Sequence, residues 1–83
     1  MEQNTFEVRY NITGDERKRL VRAMGDILEA EPKYLGAPSF AYEIDYFTVD
    51  KNGTVVFDNR SDSVEIENLI ERLRELGFEA EKQ

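Results

Sequence analysis

Glu43 lies between Tyr42 and Tyr46 in the most aromatic stretch of the chain and is the one carboxylate embedded among rings. Carboxylate catalysis needs two such groups in one pocket with pKa values driven apart. The other acidic residues fall on turns and outer helix faces, and Glu43 itself is expected to face the open side of a sheet or solvent. The chain has no histidine and no cysteine. That removes thiolate and imidazole zinc sites, the cysteine nucleophile, the Ser-His-Asp arrangement and the common acid–base group at physiological pH. Nucleophile, base and oxyanion donor are nowhere assembled together, so the expectation is a non-enzyme with no cofactor and no metal. Asp50-Lys51-Asn52-Gly53 faintly resembles a calcium loop. Its glycine comes too early and no glutamate closes a twelve-residue loop, whereas a hairpin turn explains the same residues.

Three further groups could serve recognition. Arg17-Lys18-Arg19-Leu20-Val21-Arg22 reads in isolation as a nucleic-acid motif. At 100° per residue, however, Lys18 and Arg22 share a helix face with Asp15, Asp26 and Glu29. Asp15–Arg19 and Arg22–Asp26 have salt-bridge spacing, and Arg17 falls near the apolar face, where it can snorkel. A mixed, solvated helix face is the expectation, with no nucleic acid bound. Glu67, Glu71 and Glu75 stack at i, i+4 on a second helix, flanked by Arg72 and Arg74. They are either an outer face or a docking row that mimics a phosphate backbone toward a nucleic-acid-binding protein. Tyr34-Leu35-Gly36-Ala37-Pro38-Ser39-Phe40-Ala41-Tyr42 concentrates aromatics around a glycine and a proline. Such a loop suits protein contact through Tyr34, Pro38 and Tyr42, and equally suits core closure beneath a loop.

The elements that position these groups follow from periodicity. Phe6, Val8, Tyr10 and Ile12 alternate with Glu7, Arg9 and Asn11, the pattern of a strand with one buried face. Thr13 and Glu16 form a capping-box sequence for a helix from Asp15 to Ala30, with Leu20, Val21, Met24, Ile27 and Leu28 on its apolar face and Pro32 beyond its end. Lys33 to Ser39 reads as irregular or a bent strand entry. The apolar phase slips between Ile44 and Phe47, which predicts a tight turn at Asp45-Tyr46 between two strands; a single bulged strand is the alternative. Asn52-Gly53 predicts a hairpin into Thr54–Phe57. A second helix runs from Asp62 to Leu76, stopped by Gly77 with Phe78 folding back on Leu73. The predicted order is β-α-β-β-β-α, an α+β fold with both helices on one face of a largely antiparallel sheet.

Eighty-three residues make one domain, 1–83, with 1–4 and 80–83 frayed. Its core is thin and its stability margin about 3–5 kcal/mol. The net charge of −7 disfavours DNA, RNA and anionic membranes as partners. No apolar run approaches the roughly 20 residues that span a bilayer, and the N-terminus lacks signal-peptide character. The expected address is the cytoplasm, which makes the sequons at Asn11, Asn52 and Asn59 chance matches.

The stretches Thr-Gly-Asp-Glu-Arg-Lys-Arg-Leu-Val, Lys-Tyr-Leu-Gly-Ala-Pro-Ser-Phe-Ala-Tyr-Glu-Ile and Phe-Thr-Val-Asp-Lys-Asn-Gly-Thr-Val, taken together, resemble a group of small bacterial proteins of no established activity. These are often carried on conjugative or phage-like mobile elements and sometimes labelled "virulence-related". The resemblance covers about Thr5 to Glu79, and Tyr-Leu-Gly-Ala-Pro-Ser-Phe is its most specific part. It implies a small accessory protein of a mobile element, either a short member or an N-terminal domain, and no reaction. The combined expectation is a non-enzymatic protein-interaction module, monomeric or weakly dimeric. Its partner surface is the Tyr34–Tyr42 segment with an unpaired sheet edge, and the Glu67/Glu71/Glu75 face is the alternative.

Overall fold

The computed structural model describes residues 5–80. Of the frayed ends expected at 1–4 and 80–83, all but Ala80 lie outside the described residues. Seven elements follow one another: β1 Thr5–Arg9, α1 Gly14–Leu28, β2 Lys33–Gly36, β3 Ala41–Ile44, β4 Phe47–Val49, β5 Thr54–Asp58 and α2 Ser63–Glu75. The five strands form one antiparallel sheet in the order β1-β5-β4-β3-β2. The fold is therefore α+β, as predicted, with one strand more than the sequence pattern shows. Lys33–Gly36 is an edge strand rather than an irregular segment, paired to β3 through Lys33–Glu43 and Tyr34–Tyr42.

Alternation puts Val8, Ile44, Phe47, Val49, Val55 and Phe57 on one face of the sheet. There they meet Leu20, Val21 and Met24 of α1 and Leu69 and Leu73 of α2 in a single core. Both helices thus cover the same face. The opposite face carries Glu7, Arg9, Glu43, Thr48, Thr54 and Asp58, with Ala41 and Val56 among its apolar residues by register. Such a polar face is stable in water without a covering layer. Glu43 lies on it, opposite Thr48, and is exposed.

The two-residue turn at Asp45-Tyr46 is present: Ile44 pairs with Phe47, and Asp45 takes the left-handed conformation at φ 55°. The end of α2 also follows the sequence. Gly77 has φ 99°, its N–H donates to the Arg74 carbonyl, and Phe78 N–H donates to the Leu73 carbonyl at 2.9 Å. That is the paired bonding of a Schellman stop. Ala80 packs against the core.

Local expectations fail in three places. Thr13 is the N-cap of α1 in extended geometry, but its hydroxyl makes no capping bond, so no capping box forms. Arg19 pairs with Glu16 at 3.5 Å rather than with Asp15, and no Arg22–Asp26 bridge occurs among the described residues. In the β4–β5 connection only Gly53 is left-handed, at φ 81°. The Asp50 carboxylate organises that turn, accepting the N–H groups of Asn52 and Thr54 at 2.9 Å each. Gly53 is also enclosed: a Cβ there would meet the backbone oxygen of Ile12 and lie 2.8 Å from its nitrogen. Tyr10 N–H donates to the Gly53 carbonyl at 3.2 Å, so this glycine joins the turn to β1.

Candidate functional site

The β2–β3 hairpin is built around an irregularity. Tyr34 faces Tyr42 and Gly36 faces Ala41, so Leu35 is an extra residue and forms a bulge. Gly36, at φ 72°, turns the chain, and its carbonyl accepts the Phe40 N–H at 2.8 Å, closing the Ala37–Ser39 tip. Phe40 itself sits at φ 54°, a conformation that crowds the Cβ of a bulky residue. Ala41 is then buried and β3 begins.

This geometry divides the segment in two. Tyr42 is half-buried against the core, with the Tyr34 ring on it at 4.9 Å and the Arg17 guanidinium 4.9 Å from its centroid. Arg17 also donates to the Asp50 carbonyl at 3.3 Å, the snorkelling position expected of it. Tyr34, Leu35 and Phe40 remain 52%, 44% and 45% exposed, and Pro38 is exposed at the tip. Of the candidate aromatics, then, Tyr42 serves the core, while Tyr34, Leu35 and Phe40 make an exposed apolar rim on the β2–β3 hairpin, at the edge of the sheet that is unpaired among the described residues. Leu35 and Phe40 were not singled out from the sequence; their signal was the glycine-proline tip, which leaves its neighbours little to pack against. A groove of about 490 Å³ is lined by Lys18, Val21, Arg22, Asp26, Pro32 and Tyr42, and none of Tyr34, Leu35 and Phe40 lines it.

The acidic candidates lie elsewhere. Glu67, Glu71 and Glu75 are all exposed on α2. Arg74 stands 3.7 Å from Glu71, and Arg72 4.0 Å from Glu75. Exposed pairs of this kind contribute little stability, but they divide the row's negative field. The basic run of α1 is similarly broken up: Arg17 is folded onto Tyr42 and Arg19 is paired with Glu16.

Three titrating groups are perturbed among the described residues. Arg60 donates its Nε to both carboxylate oxygens of Asp58 at 3.0 Å while its guanidinium stacks 5.1 Å from the Tyr46 centroid. That hydrogen bonding holds the Asp58 carboxyl below the usual range and the Arg60 guanidinium above its own. Burial raises the Tyr10 phenol, against a smaller opposing effect of Arg74. These groups lie apart from the aromatic rim, at turns and in the core. Among the described residues no helix is long and apolar enough to cross a membrane. Compared with protein-family models, curated proteins and solved structures, the chain matches none of them.

Proposed function

We propose that this chain is a non-catalytic protein-interaction module that docks a protein partner through the Tyr34–Leu35–Phe40 rim and the free edge of β2. The observation that carries this reading is Phe40. Its backbone is left-handed, where asparagine or glycine would cost less, and it is nearly half exposed. Neither backbone preference nor core packing accounts for phenylalanine there, whereas a contact surface does. Tyr34 and Leu35 extend the apolar surface along the same edge, and edge strands with exposed aromatics are common docking devices. The non-catalytic part of the reading rests on composition: without histidine and cysteine the chain lacks the usual nucleophile–base pairs. An accessory role on a bacterial mobile element rests on the family resemblance alone, and a cytoplasmic address on the absence of a signal-peptide pattern and of a long apolar run in the given sequence.

Affinity capture with three forms of the chain tests the reading: wild type, Tyr34→Ser/Phe40→Ser, and Glu67, Glu71 and Glu75 all changed to Lys. Loss of the captured protein with the aromatic pair only, and retention through moderate salt, is the expected result. Loss with the lysine variant and release by salt would instead establish the acidic face as the docking row.

A further inference from the structure

The opposite edge of the sheet has a different character. β1 pairs with β5 on one side only among the described residues. Tyr10 N–H points to Gly53, in the register that continues Arg9–Thr54 and Val8–Val55. Alternation along an antiparallel ladder then turns the backbone groups of Val8 and Phe6 toward β5 as well. The N–H and C=O groups of Glu7 and Arg9 are left on the free side. This edge is regular over five residues, without proline, glycine or bulge.

Its charges are also self-complementary. Glu7 and Arg9 are two residues apart, so they share the polar face of the sheet and form a loose pair at 3.6 Å, both well exposed. A second copy approaching about a two-fold axis meets β1 antiparallel. With the axis at Val8, Glu7 of each copy lies opposite Arg9 of the other, and both residues belong to the set whose backbone groups are free. The same register sets Val8 against Val8 and Phe6 against Tyr10 on the helix-covered face, where Phe6 is 48% exposed. Moving the axis to Glu7 or to Arg9 sets like charges directly opposite, which disfavours those registers.

We infer that β1 is a self-association edge, joining two copies into one continuous antiparallel sheet in the Glu7–Arg9 register. The occupant is a second copy because one edge supplies both halves of the charge pattern. A single short ladder buries less than the roughly 1,200 Å² of a standard interface, so the dimer is weak and concentration-dependent. The inference is independent of the β2 rim, which lies at the other side of the sheet.

Sedimentation equilibrium up to about 1 mM chain tests it. Wild type should dimerise, while Glu7→Arg alone and Arg9→Glu alone should each associate about tenfold more weakly or worse, since both cross-strand pairs become repulsive. An equimolar mixture of the two variants places opposite charges at every contact and should restore association, as should the doubly swapped chain. The mixture guards against variants that merely fold poorly. Amide exchange at Glu7 and Arg9 should slow as concentration rises. A wild type that stays monomeric, single variants that associate normally, a mixture no better than its components, or amides indifferent to concentration would each overturn the inference.

Discussion

The two edges of this sheet, both unpaired among the described residues, solve opposite problems. β1 is five residues long, regular, and exposes an uninterrupted run of backbone groups flanked by a glutamate and an arginine. β2 has four residues, is interrupted by the Leu35 bulge, and exposes side chains: Tyr34, Leu35 and, across the tip, Phe40. A regular edge recognises another strand by its main chain, with charge choosing the register. A bulged edge cannot extend a ladder far, so whatever it recognises must be read by apolar contact. One small domain therefore carries two surfaces of different chemistry, separated by the width of a five-stranded sheet.

The glycines beside the two edges give the largest test of that contrast. Gly53 is left-handed and enclosed by the Ile12 backbone, and its carbonyl accepts from Tyr10. Gly53→Ala should cost about 2–4 kcal/mol, combining left-handed strain with displacement of Ile12. Gly36 is left-handed too, but nothing lies within 4 Å of a Cβ there. Gly36→Ala should cost only about 1–2 kcal/mol. Denaturant melts of both variants check this, and equal losses would mean that β1 is no more tightly anchored than β2.

The tyrosine pair gives the next effect. Tyr42→Ala removes a half-buried ring that packs on the core and carries Arg17, at a cost of about 2–3 kcal/mol. Tyr34→Ala, on the exposed rim, should cost under about 1 kcal/mol. Thermal melts that showed Tyr34 costing as much as Tyr42 would return the whole segment to core closure. On the other edge Phe6, stacked on Phe57 at 5.6 Å and half exposed, should cost about 1 kcal/mol on truncation to alanine.

The smallest effect lies between the edges, at Asp58. Its folded carboxyl is depressed by Arg60, so the folded state binds fewer protons than the unfolded chain around the ordinary carboxylate pKa of about 3.9. The pair's contribution is thus present above that pH and lost as pH falls through the folded value. Stability of wild type and Asp58→Asn compared from pH 7 downward should differ at neutral pH and converge in acid. A difference unchanged at low pH would assign the effect of Asp58 to the turn rather than to its charge.

Much of this architecture was legible in the residues. The alternation of Phe6, Val8 and Tyr10, the apolar stripes of both helices and the Gly77 stop are each realised, and of the two readings of the phase slip the turn at Asp45-Tyr46 is the one that forms. β2 was not legible because the bulge at Leu35 destroys the period-two pattern that marks a strand. Thr13 and Glu16 matched a capping box in type and spacing, but a cap also needs the hydroxyl aimed at the first-turn N–H groups, which spacing does not specify. Asn52-Gly53 located the hairpin correctly and misassigned its chemistry, since Asp50 supplies the side-chain bonds. For the candidate surface, the sequence concentrated the aromatics in one segment without separating the ring that packs inward from those that face out. That division depends on which strand Tyr42 pairs with and on the tip that leaves Phe40 nearly half exposed.

The most direct measurement of the central claim is affinity capture with wild type beside Tyr34→Ser/Phe40→Ser, each first shown to be folded by its thermal melt. The variant should melt within a few degrees of wild type while the captured partner is lost. A folded variant that captures the same partner at the same yield would contradict it.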